Sequence, residues 1–263
     1  MSKLIYIIGR QRSGTTVLRE LLVKYGAFNA DEIFHGDLSG KHRFYSFVAS
    51  EVEKEPRFVN PVTHSQLYQR YLESLIVTAN GQPVVIDMKY FAFNLIPTDG
   101  DITQRTPFLI RHLEKTHPPV FHVIRKNKLR VYVSELMAKK TGKWSARTGT
   151  DLPTDKGQVR LDPLKTILSL KAMEQDDRSA REMLANIADK REIIYETMFR
   201  RDGSFSPYVM SACEKVLGMT NLDPTPNNTR MNPEPLSALV ENFNEIAVAM
   251  NGTEYAWMIK ADS

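Results

Sequence analysis

Apolar runs of strand length alternate with stretches of helical spacing along most of this chain. Leu4-Ile5-Tyr6-Ile7-Ile8 is an unbroken apolar run and predicts a buried strand. Gly9 ends it, and Val17, Leu18, Leu21 and Leu22 recur at helical spacing. Ala27 to Phe34 predicts a short second strand that runs out in Asp31-Glu32-Ile33-Phe34-His35-Gly36-Asp37. Helical spacing returns at Phe44 to Val48 and again from His64 to Ala79, through Leu67, Tyr71, Leu75 and Ile76. Pro83 to Lys89 reads as a strand, Thr106 to Lys115 as a helix, and Val120 to Ile124 as a further buried strand that leads into a helix from Leu129 to Lys139. Lys140 to Arg160 loses apolar periodicity and predicts a mobile loop near the site. Asp162 to Lys190 is helical with room for one break, and Ile193 to Tyr195 is a last short strand. Helices follow at Tyr208 to Leu217 and Pro235 to Met250, with the proline-rich connection Asp223 to Pro235 between them.

Strands that alternate with helices predict an α/β fold: a central parallel sheet flanked by helices, three layers in all. No repeat or linker divides the chain, so residues 1–263 read as one domain. Apolar residues make up 42% of the chain, enough for a core of that size. The single cysteine, Cys213, excludes a disulfide framework and a cysteine-rich metal site, and suits a reducing, cytoplasmic setting. No signal peptide or membrane span is read. A net charge of +4 suits an anionic ligand.

The first strand-to-helix turn, Gly9-Arg10-Gln11-Arg12-Ser13-Gly14-Thr15-Thr16, carries the densest chemistry. A helix N-terminus presents free amides and a positive dipole end, and this loop adds two arginines and three hydroxyls. It reads as a phosphate cradle. Gly9 and Gly14 keep the spacing of the nucleotide triphosphatase loop, but Thr15 stands where that loop has its lysine. The expected anion ligands here are Arg10, Gln11, Arg12, Ser13, Gly14, Thr15 and Thr16.

Arg12-Ser13-Gly14-Thr15-Thr16 after an apolar strand resembles the 5′-phosphosulfate loop of sulfotransferases that use 3′-phosphoadenosine-5′-phosphosulfate (PAPS), in the arginine form of the bacterial carbohydrate and lipo-oligosaccharide branch. A second stretch, Arg125-Lys126-Asn127-Lys128-Leu129-Arg130-Val131-Tyr132-Val133-Ser134, resembles the same branch, with Asn127 in place of its usual aspartate. The resemblance implies a P-loop-like fold and sulfuryl transfer from PAPS, leaving 3′,5′-ADP (PAP), with no metal. It implies that Arg12 binds the phosphosulfate and that Arg125 and Ser134 bind the 3′-phosphate, with Arg230 in the C-terminal loop as a further ligand. It also implies a glutamate base after the second strand, matched by Glu32 in Glu-Ile-Phe-His, and a strand-end lysine near the reaction centre, matched by Lys89. Tyr195-Glu196 matches a pair with a structural role, and Gly252-Thr253-Glu254-Tyr255 resembles the end of the branch.

His35 rivals Glu32 as the base, because an imidazole titrates near neutral pH. Asp37 and His42 stand further back, and His122, inside an apolar strand, reads as a core residue. The expected acceptor is a small polar alcohol or amine, a natural product or a sugar. The acids Asp31, Glu32 and Asp37 would also attract a cationic one. A homodimer stays open. Two other classes compete. In a P-loop kinase using ATP–Mg²⁺, Asp87 would be the metal-binding aspartate. The third class is a non-enzymatic anion- or nucleic-acid-binding protein. The basic residues between Arg105 and Gly149 are not interleaved with base-stacking aromatics, which argues against nucleic acid.

Overall fold

The computed structural model describes residues 3–97, 106–144, 157–227 and 232–260. Five strands, β1 (Leu4–Gly9), β2 (Phe28–Glu32), β3 (Val84–Lys89), β4 (Val120–Ile124) and β5 (Lys190–Ile194), form one sheet in the order β2-β3-β1-β4-β5. Every pairing is parallel. The buried, mainly apolar strands β1, β3 and β4 take the three central places, and the less buried, mixed strands β2 and β5 take the edges. This is the P-loop-like three-layer α/β arrangement expected from the sequence.

Alternation along the strands sorts the two faces. Tyr6, Ile8, Val84, Ile86 and Met88 face one core with α3 (His64–Thr78) and α4 (Phe108–Thr116). Ile5, Ile7, Val85, Phe121 and Val123 face the other with α1 (Thr15–Lys24) and α7 (Pro207–Leu217). The same parity carries Asp87, Lys89 and Arg125 onto the α1 face at the carboxyl ends of their strands, and His122 onto the opposite face, where it is fully buried. A third core joins α5 (Lys128–Thr141), the first half of α6 (Pro163–Met183) and the short C-terminal helices α8 (Leu236–Leu239), α9 (Phe243–Met250) and α10 (Ala256–Lys260). The remaining helix, α2 (Phe44–Lys54), follows the loop after β2.

Three boundaries differ from the sequence reading. The helix expected to reach Lys190 ends at Met183, and Lys190 opens β5, an edge strand with few apolar positions to mark it. The helix expected over Pro235 to Met250 is interrupted: Val240 bridges Val159, and the Asn242 amide is spent on the Leu161 backbone, accepting from its N–H (2.9 Å) and donating to its carbonyl (2.8 Å). The expected mobile loop begins later, because α5 runs on to Thr141, where Gly142 closes it at φ 68°. Residues 145–156 of that loop lie outside the described residues. Among the described residues, no helix is long and apolar enough to cross a membrane.

Candidate functional site

The chain returns from β1 to the β2 side of the sheet but crosses from β3 to β4, so the strand order diverges between β1 and β4. In open α/β sheets ligands bind in the crevice at such a point, beyond the carboxyl ends of the strands. The loop between β1 and α1 occupies that place. Gly9 is required there: a methyl group would lie 2.6 Å from the Val123 carbonyl oxygen. Arg12 takes a left-handed conformation (φ 65°) and Gly14 another (φ 98°), so the loop curls about its own amides as anion-binding nests do. No acidic residue enters the first turn of α1, and no side chain caps it.

The two sequence stretches meet at this loop. Arg125, leaving β4, donates to the Arg12 carbonyl (3.3 Å) and lies over the Tyr195 ring at 4.4 Å. Arg12 Nε donates to Ser134 Oγ (2.9 Å), and another Arg12 nitrogen donates to the Trp144 carbonyl. Burial, with Arg125 beside it, lowers the Arg12 pKa. Asn232 Nδ2 also donates to Ser134 Oγ (3.3 Å). Both lone pairs of that hydroxyl are thereby filled, and its own proton is left to donate. The Glu196 carboxylate accepts from the amides of Lys126 (3.0 Å) and Asn127 (2.8 Å) and fixes the turn that delivers Arg125. Asn127 caps α5 through the Arg130 amide (3.0 Å) while donating to the Met258 carbonyl (3.0 Å). An aspartate could make the first bond and not the second.

On the other side of the loop lies a buried charge cluster. Lys89 Nζ donates to Thr15 Oγ1 (2.5 Å) and Asp87 Oδ1 (2.7 Å) and sits 3.3 Å from Glu32 Oε1. Arg19, one turn beyond Thr15 on α1, pairs with Asp31 (2.5 Å) and Asp87 (3.3 Å), and Arg43 pairs with Asp31 (3.0 Å). Burial raises the Asp31 pKa, but the pull of Arg19 and Arg43 outweighs it and holds the carboxyl below its ordinary value. Asp31 stands at a register shift of β2 with φ 61°, a bulge that re-aims the Glu32 that follows it. His35 Nδ1 accepts from the Asp37 amide (3.0 Å). In the neutral ring the proton then sits on Nε2, which can donate but cannot take a proton.

Most of these groups line one cleft of about 970 Å³. Of the residues expected from the sequence, Gln11, Arg12, Gly14, Thr15, Thr16, Glu32, His35, Lys89, Arg125 and Ser134 line it. Arg10 and Ser13 do not. Arg10 is drawn away to Asp176 on α6, and Ser13 is buried with its hydroxyl donating to the Arg10 carbonyl (2.6 Å), so both brace the loop from behind. Arg230 lies outside the described residues.

No protein-family model matches the chain, and no curated protein does. Among solved structures the chain is similar to shikimate kinase from Bacteroides thetaiotaomicron, at 11% identity and a TM-score of 0.37. The likeness covers 81% of this chain and 95% of that one. At that score it carries no argument about chemistry.

The sequence reading missed Arg19, Arg43, Asn232, Phe199, Arg200 and Arg201, all in the cleft lining. Arg19 had a usable signal, four residues beyond Thr15 on a predicted helix and so on the same face. Asn232 had none, because its neighbours lie in a connection without periodicity. The acids that suggested a cationic acceptor are already matched. Arg19 and Arg43 hold Asp31, Lys89 holds Glu32, and Asp37 turns to Ser39.

Proposed function

We propose that the protein transfers the sulfuryl group of PAPS to a hydroxyl or amine of a small polar acceptor. One observation carries the reading. The strand-end arginine and helix serine that the resemblance assigns to a 3′-phosphate are coupled through Arg12 to the loop assigned to the 5′-phosphosulfate. Two adjacent cationic sites, one of them with a hydroxyl left only to donate, suit a ligand bearing two anionic groups on one sugar.

PAPS, when bound, supplies an activated sulfuryl group on a phosphate leaving group. The chain's part is to hold and to polarise. Thr15, Thr16 and the start of α1 hold the 5′-phosphate, and Arg12 meets charge on the leaving oxygen. Arg125 and Ser134 fix the ribose end. Lys89 spans the loop and Glu32, so the group that takes the acceptor proton is set at a fixed distance from the loop. Glu32 is the base in this reading, because His35 in its hydrogen-bonded tautomer is a donor. With the nearby acids matched, a neutral polyol or sugar suits the β2 side of the cleft better than a cation.

The P-loop kinase is the second reading, and Asp87 bears on it. Both carboxylate oxygens face cations, Lys89 and Arg19, a poor setting for Mg²⁺. Incubation with PAPS in EDTA, with a panel of sugars, polyols and amino alcohols, tests the proposal. Acceptor-dependent release of PAP is expected. Transfer seen only from ATP with Mg²⁺ would replace the sulfotransferase with a kinase.

A further inference from the structure

A pair of buried charges behind the cleft has no part in this mechanism. The buried stripe of α6 runs through Thr166, Leu170, Met173, Asp177 and Ala180, at steps of four and three. Asp177 is its charged member. A carboxylate in such a place costs free energy unless a cation meets it. Lys128 meets it: its ammonium donates to the Asp177 carboxylate, and the two residues are 3% and 5% exposed. Neither lines the cleft.

Lys128 is itself unfavourably placed. It is the first residue of α5, where the positive end of the helix dipole opposes a cation. Burial lowers its pKa, and Asp177 pulls the other way. Two apolar side chains of this size would serve packing as well. The charged pair does one thing that an apolar pair cannot. The Lys128 ammonium also donates to the Arg125 carbonyl. Asp177 thus holds Lys128, and Lys128 holds the backbone of the arginine that leaves β4. Glu196 fixes the same turn from the end of β5, through the amides of Lys126 and Asn127. Tyr90, the residue after Lys89, belongs to the same cluster. Burial and then the Asp177 carboxylate raise its pKa, and its hydroxyl meets His122 Nε2 at 2.9 Å.

We infer that Asp177 is a positioning residue: through Lys128 it sets the Arg125 backbone where a 3′-phosphate needs the guanidinium. The inference rests on the nucleotide reading above. Asp176, beside it on α6, pairs with Arg10, but its side chain is 57% exposed and such pairs contribute little.

The test is the ratio of affinities for 3′,5′-ADP and 5′-AMP, measured by calorimetry in EDTA. The two ligands differ only in the 3′-phosphate. Their ratio therefore reads the Arg125 site, and a loss of overall stability does not move it. Wild type is expected to prefer 3′,5′-ADP by about a hundredfold. Asp177→Asn leaves a buried ammonium unpaired, so Lys128 is expected to leave the Arg125 carbonyl. The preference should fall about tenfold, with 5′-AMP affinity within about twofold of wild type. Lys128→Met with Asp177→Leu removes both charges and is expected to fold whether or not the single variant does. It should lose the preference to the same degree, while Asp176→Asn should keep it. A preference retained in the double variant, or lost equally in Asp176→Asn, overturns the inference and leaves the nucleotide reading standing. A wild type that binds neither nucleotide, or shows no preference between them, overturns that reading and the inference with it.

Discussion

Lys89→Met probes the junction between phosphate loop and base. Lys89 is 4% exposed and Asp87 1%, and the ammonium reaches Asp87, Thr15 and Glu32 at once. Methionine keeps most of the stem and removes the charge, so the loss is electrostatic and not a cavity. Removing one partner of a buried pair costs about 3–5 kcal/mol, because the other charge stays buried. Arg19, 3.3 Å from Asp87, offsets part of this, which places the expected loss near 3 kcal/mol. Asp87→Asn alone leaves Lys89 with Glu32 and Thr15 and should cost less. The double variant removes both charges, and its loss should fall short of the sum of the singles by about 1–3 kcal/mol. Urea unfolding of the four proteins at pH 7 reads the cycle. Single losses that add to within about 0.5 kcal/mol would show that the two groups do not form a coupled pair.

Three further outcomes are expected. Glu32→Gln should abolish turnover while leaving 3′,5′-ADP affinity within about threefold, and His35→Gln should keep the acid limb of the pH–rate profile. Loss of that limb in His35→Gln would return the base to histidine. Burial pushes His112 and His122 down to about 4, from 6.5. A depressed histidine contributes stability that is complete above pH 6.5 and is lost as pH falls toward 4, when the unfolded chain takes up protons first. The loss is about 3 kcal/mol for each at most, and urea midpoints that stay level from pH 7 to pH 4.5 would refute it. Gly14→Ala should destabilise the protein and weaken anion binding together, since the methyl group would meet the Tyr195 ring at 2.6 Å and φ is 98°. Unchanged melting and unchanged 3′,5′-ADP affinity would show the loop to be looser than described.

Much of the fold was legible because the central strands are buried on both faces and therefore read as mainly apolar runs, interrupted by Asp87 in β3 and His122 in β4. The two stretches that meet at the loop were legible because each is local: a strand, a turn and a helix start, with every polar group within ten residues or so of the next. What escaped was tertiary. Arg43 reaches Asp31 from twelve positions away, and Asn232 reaches Ser134 from ninety-eight. Nothing in the spacing of either pair announces the contact. Arg200 and Arg201 lie in a turn whose Asp-Gly signal marks a loop but not the cleft it faces. The charges of Asp31 and Glu32 were visible, but the cations that match them were not, so the sequence suggested an acidic patch where the structure sets each acid against a cation.

The central claim is that the cleft holds a bisphosphorylated nucleoside through Arg125 and Ser134 without metal. Calorimetry of 3′,5′-ADP in EDTA, on wild type and on Arg125→Ala with Ser134→Ala, tests it most directly. Clear binding to wild type is expected, with at least a hundredfold loss in the double variant, about 3 kcal/mol for two charge-assisted contacts. Binding of ATP with Mg²⁺ in place of 3′,5′-ADP, or 3′,5′-ADP affinity untouched by the double variant, would contradict it.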